Sequence, residues 1–229
     1  MRIVIAFILE PAAYFLFAAF IFYHSRNDRR TKNKVLYLYY FIATILMTKA
    51  SLSGLNGESN IEIYSFLCLI TFICMGVYFY HTLTSGWKQK VVVACCMLEA
   101  AYYLTYNVFI ERESVFDSIG HVLLSLGMML MVFLFMHQVF ANVKDELLSL
   151  NFDFWFVCSQ MVYHLGAFAI FLTYNYLTKK ILAEELYSAE NRILVTKVWG
   201  VHNVLLFLSS LITASSVVWI AYHRKSQLS

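Results

Sequence analysis

Hydrophobic residues in this chain fall into long continuous runs rather than into alternating patterns or narrow helical stripes. A helix that crosses a bilayer needs about 20 apolar residues in a row. Runs of that length are read at about 3–23, 35–53, 61–83, 90–110, 117–141, 153–177 and 194–222. Polar residues collect in the short segments between them. Strands are not expected as the spanning element, because the runs do not alternate and only helices or closed barrels satisfy their backbone in lipid. A single proline, Pro11, and eight glycines leave little to interrupt the helices. The pattern therefore predicts an all-α, polytopic membrane protein, one domain of seven transmembrane helices over residues 1–229.

Lys and Arg in the short loops orient such a bundle. With the first loop placed in the cytoplasm, that side holds Arg26, Arg29, Arg30, Lys32, Lys34, Lys88, Lys90, Lys144, Arg224 and Lys225. The other side holds Arg2, Arg112, Lys179, Lys180 and Arg192. Glu58, Glu62, Glu111, Glu113, Asp117, Glu184, Glu185 and Glu190 fall outside as well. The N-terminus is expected outside and the C-terminus in the cytoplasm, in a multi-pass protein of the cell membrane, a bacterial inner membrane. The first run is read as a retained span, since a signal peptide has the reverse charge order and a small-residue cleavage site. Segment 178–193, TKKILAEELYSAENR with its neighbours, is expected to form a short amphipathic helix on the membrane surface.

Composition sharpens the picture. Of 229 residues, 61% are hydrophobic and 14% charged, and the mean hydropathy is +0.67. A soluble domain has roughly half its residues apolar and a quarter charged, so a soluble enzyme, a disordered chain and a secreted disulfide scaffold are all excluded. The net charge of +3 comes from scattered residues, which speaks against nucleic acid as a partner. Cys68, Cys74, Cys95, Cys96 and Cys158 all lie in spans and are expected to pack as small hydrophobes. No Walker motif, G-x-G-x-x-G, H-E-x-x-H, C-x-x-C or internal repeat occurs.

The remaining chemistry is the polar inventory inside the spans, where an ionisable group costs about 2.5–3.5 kcal/mol and marks a functional hypothesis. Glu10, Lys49, Glu99, His121, His164, Lys197 and His202 lie there, with Gln160 and Asn203 beside them. Tyr102, Tyr103 and Tyr106 follow Glu99 at helical spacing, and Gln160 and His164 are four apart. Glu10, Lys49, Glu99, Tyr103, His121, His164, His202 and Asn203 are the candidate lining of a polar cavity open to the outside. Lys49 is expected to pair with a carboxylate, Glu10 in preference to Glu99. Lys197 is read as snorkelling, and His24, His81, His137 and His223 as headgroup-level residues at the inner helix ends. The alternative for each is an ordinary helix–helix contact.

Four functions compete. A zinc site of His121, His164 and His202 with Glu10 or Glu99 would make an intramembrane metalloenzyme, but no two histidines have helical ligand spacing. A haem between two helices lacks a repeated histidine pattern. An ion or proton path lacks selectivity motifs and broken helices. The favoured reading is a membrane sensor or signalling partner with no assigned catalytic residue and no cofactor. The short inner loops and tail leave no room for an output domain, so the signal is expected to pass to a separate protein on the cytoplasmic side.

The last two spans carry a resemblance. The stretch NFDFWFVCSQMVYHLGAFAIFL, followed by a polar segment and VWGVHNVLLFLSSLI, resembles the C-terminal part of small seven-helix membrane proteins of Bacteroidota. The matching positions are Asn151, Trp155, Tyr163, Gly166, Trp199, His202 and Asn203. Such proteins are often encoded beside sensor histidine kinases, and the resemblance implies a signalling partner.

Overall fold

Residues 2–26, 30–109, 117–141, 148–183 and 189–226 are described by a computed structural model. They form seven helices: α1 (Arg2–Ser25), α2 (Thr31–Leu55), α3 (Ile61–Thr82), α4 (Gly86–Phe109), α5 (Ser118–Ala141), α6 (Phe152–Ala183) and α7 (Ala189–Ser226). A short 3-10 turn, Leu148–Leu150, precedes α6, and no strand occurs among the described residues. Pro11 sits inside α1 without ending it.

Local chemistry sets the helix ends. Gly57, with φ of 77°, supplies the left-handed residue of the α2–α3 turn. The Asn60 side chain braces that turn by donating to the Ala50 carbonyl at 3.0 Å. Asn151 caps α6, its Oδ1 accepting the Phe154 N–H at 3.3 Å. Asp117 caps α5 in the same way, accepting the Gly120 N–H at 2.9 Å. Segment 178–193 is not a separate surface helix: α6 runs on to Ala183, and α7 begins at Ala189. No Gly or Pro stops either helix there. Residues 184–188, between the two helix ends, lie outside the described residues.

Among the described residues six helices are long and apolar enough to cross a membrane, over Ile8–Ser25, Thr31–Leu55, Ile61–Thr82, Ser118–Ala141, Phe152–Leu177 and Ile193–Ser226. The helix left out is α4, whose first two turns carry Lys88, Gln89 and Lys90 and whose middle carries Glu99.

Packing follows the same division. The contacts run α1 to α2, α2 to α3, α3 to α5, α5 to α6, α6 to α7 and α7 back to α1. The six apolar helices thus close a ring, and α4 lies against its outside, on α3 and α5. Large apolar side chains such as Ile8, Phe15, Ile45, Leu98, Phe133 and Leu165 face outward. That surface is normal where lipid is the solvent. Tyrosine, serine, histidine and glutamate side chains are buried inside.

Candidate functional site

The interior of the ring holds one polar cavity, lined by all six ring helices. Glu10 and Tyr14 come from α1, Tyr39 and Tyr40 from α2, and Tyr64, Cys68 and Thr71 from α3. His121 comes from α5, Gln160, Tyr163 and His164 from α6, and Trp199 and His202 from α7. No described residue of α4 contributes. The space open to the centres of water molecules is about 40 Å³, room for about three waters.

Hydrogen bonds fix most of these groups. The Tyr64 hydroxyl donates to Glu10 Oε2 at 2.9 Å. Thr71 donates to the Leu67 carbonyl at 2.7 Å, so the Tyr39 hydroxyl donates to Thr71 Oγ1 at 2.8 Å. Gln160 Nε2 donates to the Tyr40 hydroxyl at 3.2 Å. His202 is held on both ring nitrogens. Its Nδ1 lies 3.0 Å from Asn203 Oδ1, an acceptor, and therefore carries the proton. Its Nε2 then accepts the Tyr163 O–H at 2.7 Å. His121 Nδ1 donates to the Asp117 carbonyl at 2.9 Å. By contrast, His164 Nδ1 is buried with no hydrogen-bond partner among the described residues, although buried polar atoms are nearly always paired.

Toward the other end of the ring the lining changes. Following α6 backward from His164 and Gln160 leads to Phe156 and then Asp153. Following α1 forward from Glu10 and Tyr14 leads to Phe17. The rings of Phe17 and Tyr40 stack with centroids 4.4 Å apart, and Phe156 meets Tyr78 edge-on at 5.1 Å. Beyond this aromatic layer Lys32 of α2 forms an ion pair with Asp153. The Tyr78 hydroxyl donates to the other Asp153 oxygen at 2.9 Å. The ring thus has a polar chamber, an aromatic layer and a charged clasp in sequence.

Of the residues singled out from sequence, Glu10, His121, His164 and His202 line the chamber, and Asn203 orients His202. Three stand elsewhere. Lys49 is exposed, and the Glu10–Lys49 pair is not formed. The buried face of α2 runs through Leu36, Tyr39, Tyr40, Ala43, Met47 and Ala50. Lys49, two residues past Met47, points some 200° away from it. Glu99 is buried on α4, behind the chamber wall, and accepts a hydrogen bond from Cys68 Sγ at 3.8 Å. Tyr103, also on α4, is half-buried and not part of the lining. The tyrosines of α1, α2 and α3, Tyr14, Tyr39, Tyr40 and Tyr64, were missed, because tyrosine in a span reads first as interfacial. The spacing Glu10–Tyr14 at i, i+4 was the available signal. The Lys32–Asp153 clasp was missed because both residues sit at span edges.

The histidines expected at the inner helix ends form no common cluster. His24 stacks on Phe152, His137 contacts Lys88 Nζ at 3.2 Å, and His223 packs on Trp219. Five cysteines are free. Among the described residues no three His, Cys, Asp or Glu side chains are placed to hold a metal ion.

The fold and chamber define a helical bundle of membrane-length apolar helices closed around buried polar groups. No family model, curated protein or solved structure matches the chain.

Proposed function

We propose that this chain is a multi-pass protein of a bacterial inner membrane, N-terminus outside, that acts as a sensor or signalling partner. The chamber takes up the stimulus, and the change passes to a separate protein at the cytoplasmic helix ends. The observation that supports this reading is the convergence of side chains from six helices on one cavity. An occupant there is enclosed by side chains from every helix of the ring. It therefore shifts the balance between ring arrangements by the difference in its contacts with each. At the far end, the clasp of Lys32, Asp153 and Tyr78 joins α2, α6 and α3, where a change in the ring would be felt. The resemblance of the last two spans to seven-helix proteins often encoded beside sensor kinases points the same way.

A deletion strain complemented with wild-type or His202→Gln protein tests the reading. Deletion should alter the transcript profile, and wild-type protein should restore it. His202→Gln should insert at equal level, remain monodisperse and fail to restore it. An unchanged profile on deletion, or full complementation by His202→Gln, would overturn the proposal.

Conduction of ions or protons is the second reading, favoured by polar groups at both ends of the ring. The rings of Phe17, Tyr40, Phe156 and Tyr78 pack on one another between them. Proton flux into proteoliposomes that rises with Phe156→Ala would support it.

A further inference from the structure

The chemistry of the chamber narrows what it takes up, on the reading that it is the stimulus site. Among the described residues its lining includes one carboxylate, Glu10, and no Lys or Arg. Glu10 is only 3% exposed. Its described hydrogen bond comes from the neutral hydroxyl of Tyr64, and the lysine expected beside it faces away. A carboxylate so placed favours a positively charged neighbour. An anion would meet no fixed cation there. Aromatic rings surround the same space: Tyr14, Tyr64, Tyr163 and Trp199 all line it, and Tyr64 meets Trp199 edge-on at 5.3 Å. Ring faces carry negative potential and attract cations, Trp most strongly. His164 adds a second, independent feature, a buried Nδ1 with no partner on a side chain that lines the chamber. A turn of the imidazole that brings this nitrogen to the chamber would let an occupant's N–H satisfy it. The space, about 40 Å³ open to water centres, suits a cation of about one to three heavy atoms. A metal ion lacks a set of three ligands among the described residues.

We infer that the chamber binds a small protonated amine, ammonium or methylammonium, between Glu10, His164 and the aromatic rings. Glu10 supplies the charge, the rings supply cation–π contact, and His164 Nδ1 accepts an N–H.

The test is equilibrium binding of radiolabelled methylammonium to the purified full-length chain in phosphatidylcholine nanodiscs at constant ionic strength. Binding should saturate and be competed by ammonium, and it should be indifferent to sodium and to tetramethylammonium, which is too large. Glu10→Gln should weaken it by about tenfold or more, the loss expected for a hydrogen bond to a charged group. Trp199→Leu, which keeps the carboxylate, should weaken it as well. Absence of saturable binding to the wild type overturns the proposal. So does undiminished binding by a monodisperse Glu10→Gln or, if that variant does not fold, by Trp199→Leu. The two readings fail separately. No methylammonium binding together with lost complementation by His202→Gln removes the cation and keeps the sensor. Binding together with full complementation by His202→Gln does the reverse.

Discussion

At the scale of single residues, two lysines of the same helix have opposite fates. Lys32 is buried against Asp153, and Lys49 faces outward near the other end of α2. Replacing Lys32 by Met leaves the Asp153 carboxylate half-buried with only Tyr78 to bond it. That should cost about 1–3 kcal/mol, read as a shift in denaturant midpoint in detergent. A second change, Asp153→Asn, should recover part of the loss, since the residues are in contact and their effects are coupled. Lys49→Met should be close to neutral in the same assay. A smaller loss for Lys32 than for Lys49 would contradict the placement of the clasp. His202 gives a milder expectation. Tyr163→Phe removes one hydrogen bond to its Nε2, and such bonds average about 0.6 kcal/mol in a membrane protein. Tyr163→Phe should therefore fold almost normally. Burial depth in the sequence was enough to find Glu10, His121, His164 and His202. Rotational position was not, and Lys49 shows why. An apolar run that meets lipid on one side and protein on the other has no polar stripe to say which side is which.

Among the helices, the ring closes by two contacts between elements distant in the chain, α3 with α5 and α7 with α1. The first is tight. A Cβ on Gly127 of α5 would stand 2.6 Å from Cζ of the buried Phe72 ring on α3. Gly127→Ala should thus destabilise the bundle by about 1–3 kcal/mol through overpacking, and methylammonium binding should weaken with it, since α3 and α5 both line the chamber. Gly76 of α3 has its close neighbour on α4, where a new Cβ would collide with Cys96 Sγ, the end of a side chain. Gly76→Ala should cost less and leave binding unchanged. Equal losses at both glycines would argue against α4 as an outer helix. The number and order of the helices were legible from the apolar runs, since the least length of a span is dictated by the bilayer. Ring closure was not legible. It depends on which small residues let two backbones approach, and glycines such as Gly76 and Gly127 look alike in sequence while facing different neighbours. The amphipathic helix expected over 178–193 failed for a related reason. Polar composition marks where a helix leaves the apolar region, and α6 and α7 continue past that point.

For the whole molecule, α4 decides the topology. If it crosses the membrane the chain spans seven times and its two described ends lie on opposite sides. If it does not, there are six crossings and the ends share a side. Its charged first turns are what lower its hydropathy, yet they are not idle in the fold. Lys88 is buried, donates to the Leu134 carbonyl at 3.2 Å and contacts His137 on α5. Gln89 donates to the carbonyls of Tyr80 and Leu83. With those groups satisfied, the stretch from Val91 to Phe109 contains only Glu99 as a charge, and Glu99 is buried against Cys68. At about 1.5 Å per residue those 19 residues cover roughly 28 Å, close to the hydrocarbon thickness of about 30 Å. Seven crossings are therefore expected. Single-cysteine variants in a cysteine-free background test this with an impermeant maleimide. Asn56→Cys, in the exposed α2–α3 turn, should label in intact cells. Thr84→Cys, in the α3–α4 turn, and Ser226→Cys, at the end of α7, should label only after permeabilisation. Labelling of Ser226→Cys from outside while Thr84→Cys stays protected would leave α4 on one side of the membrane and the ring alone crossing it.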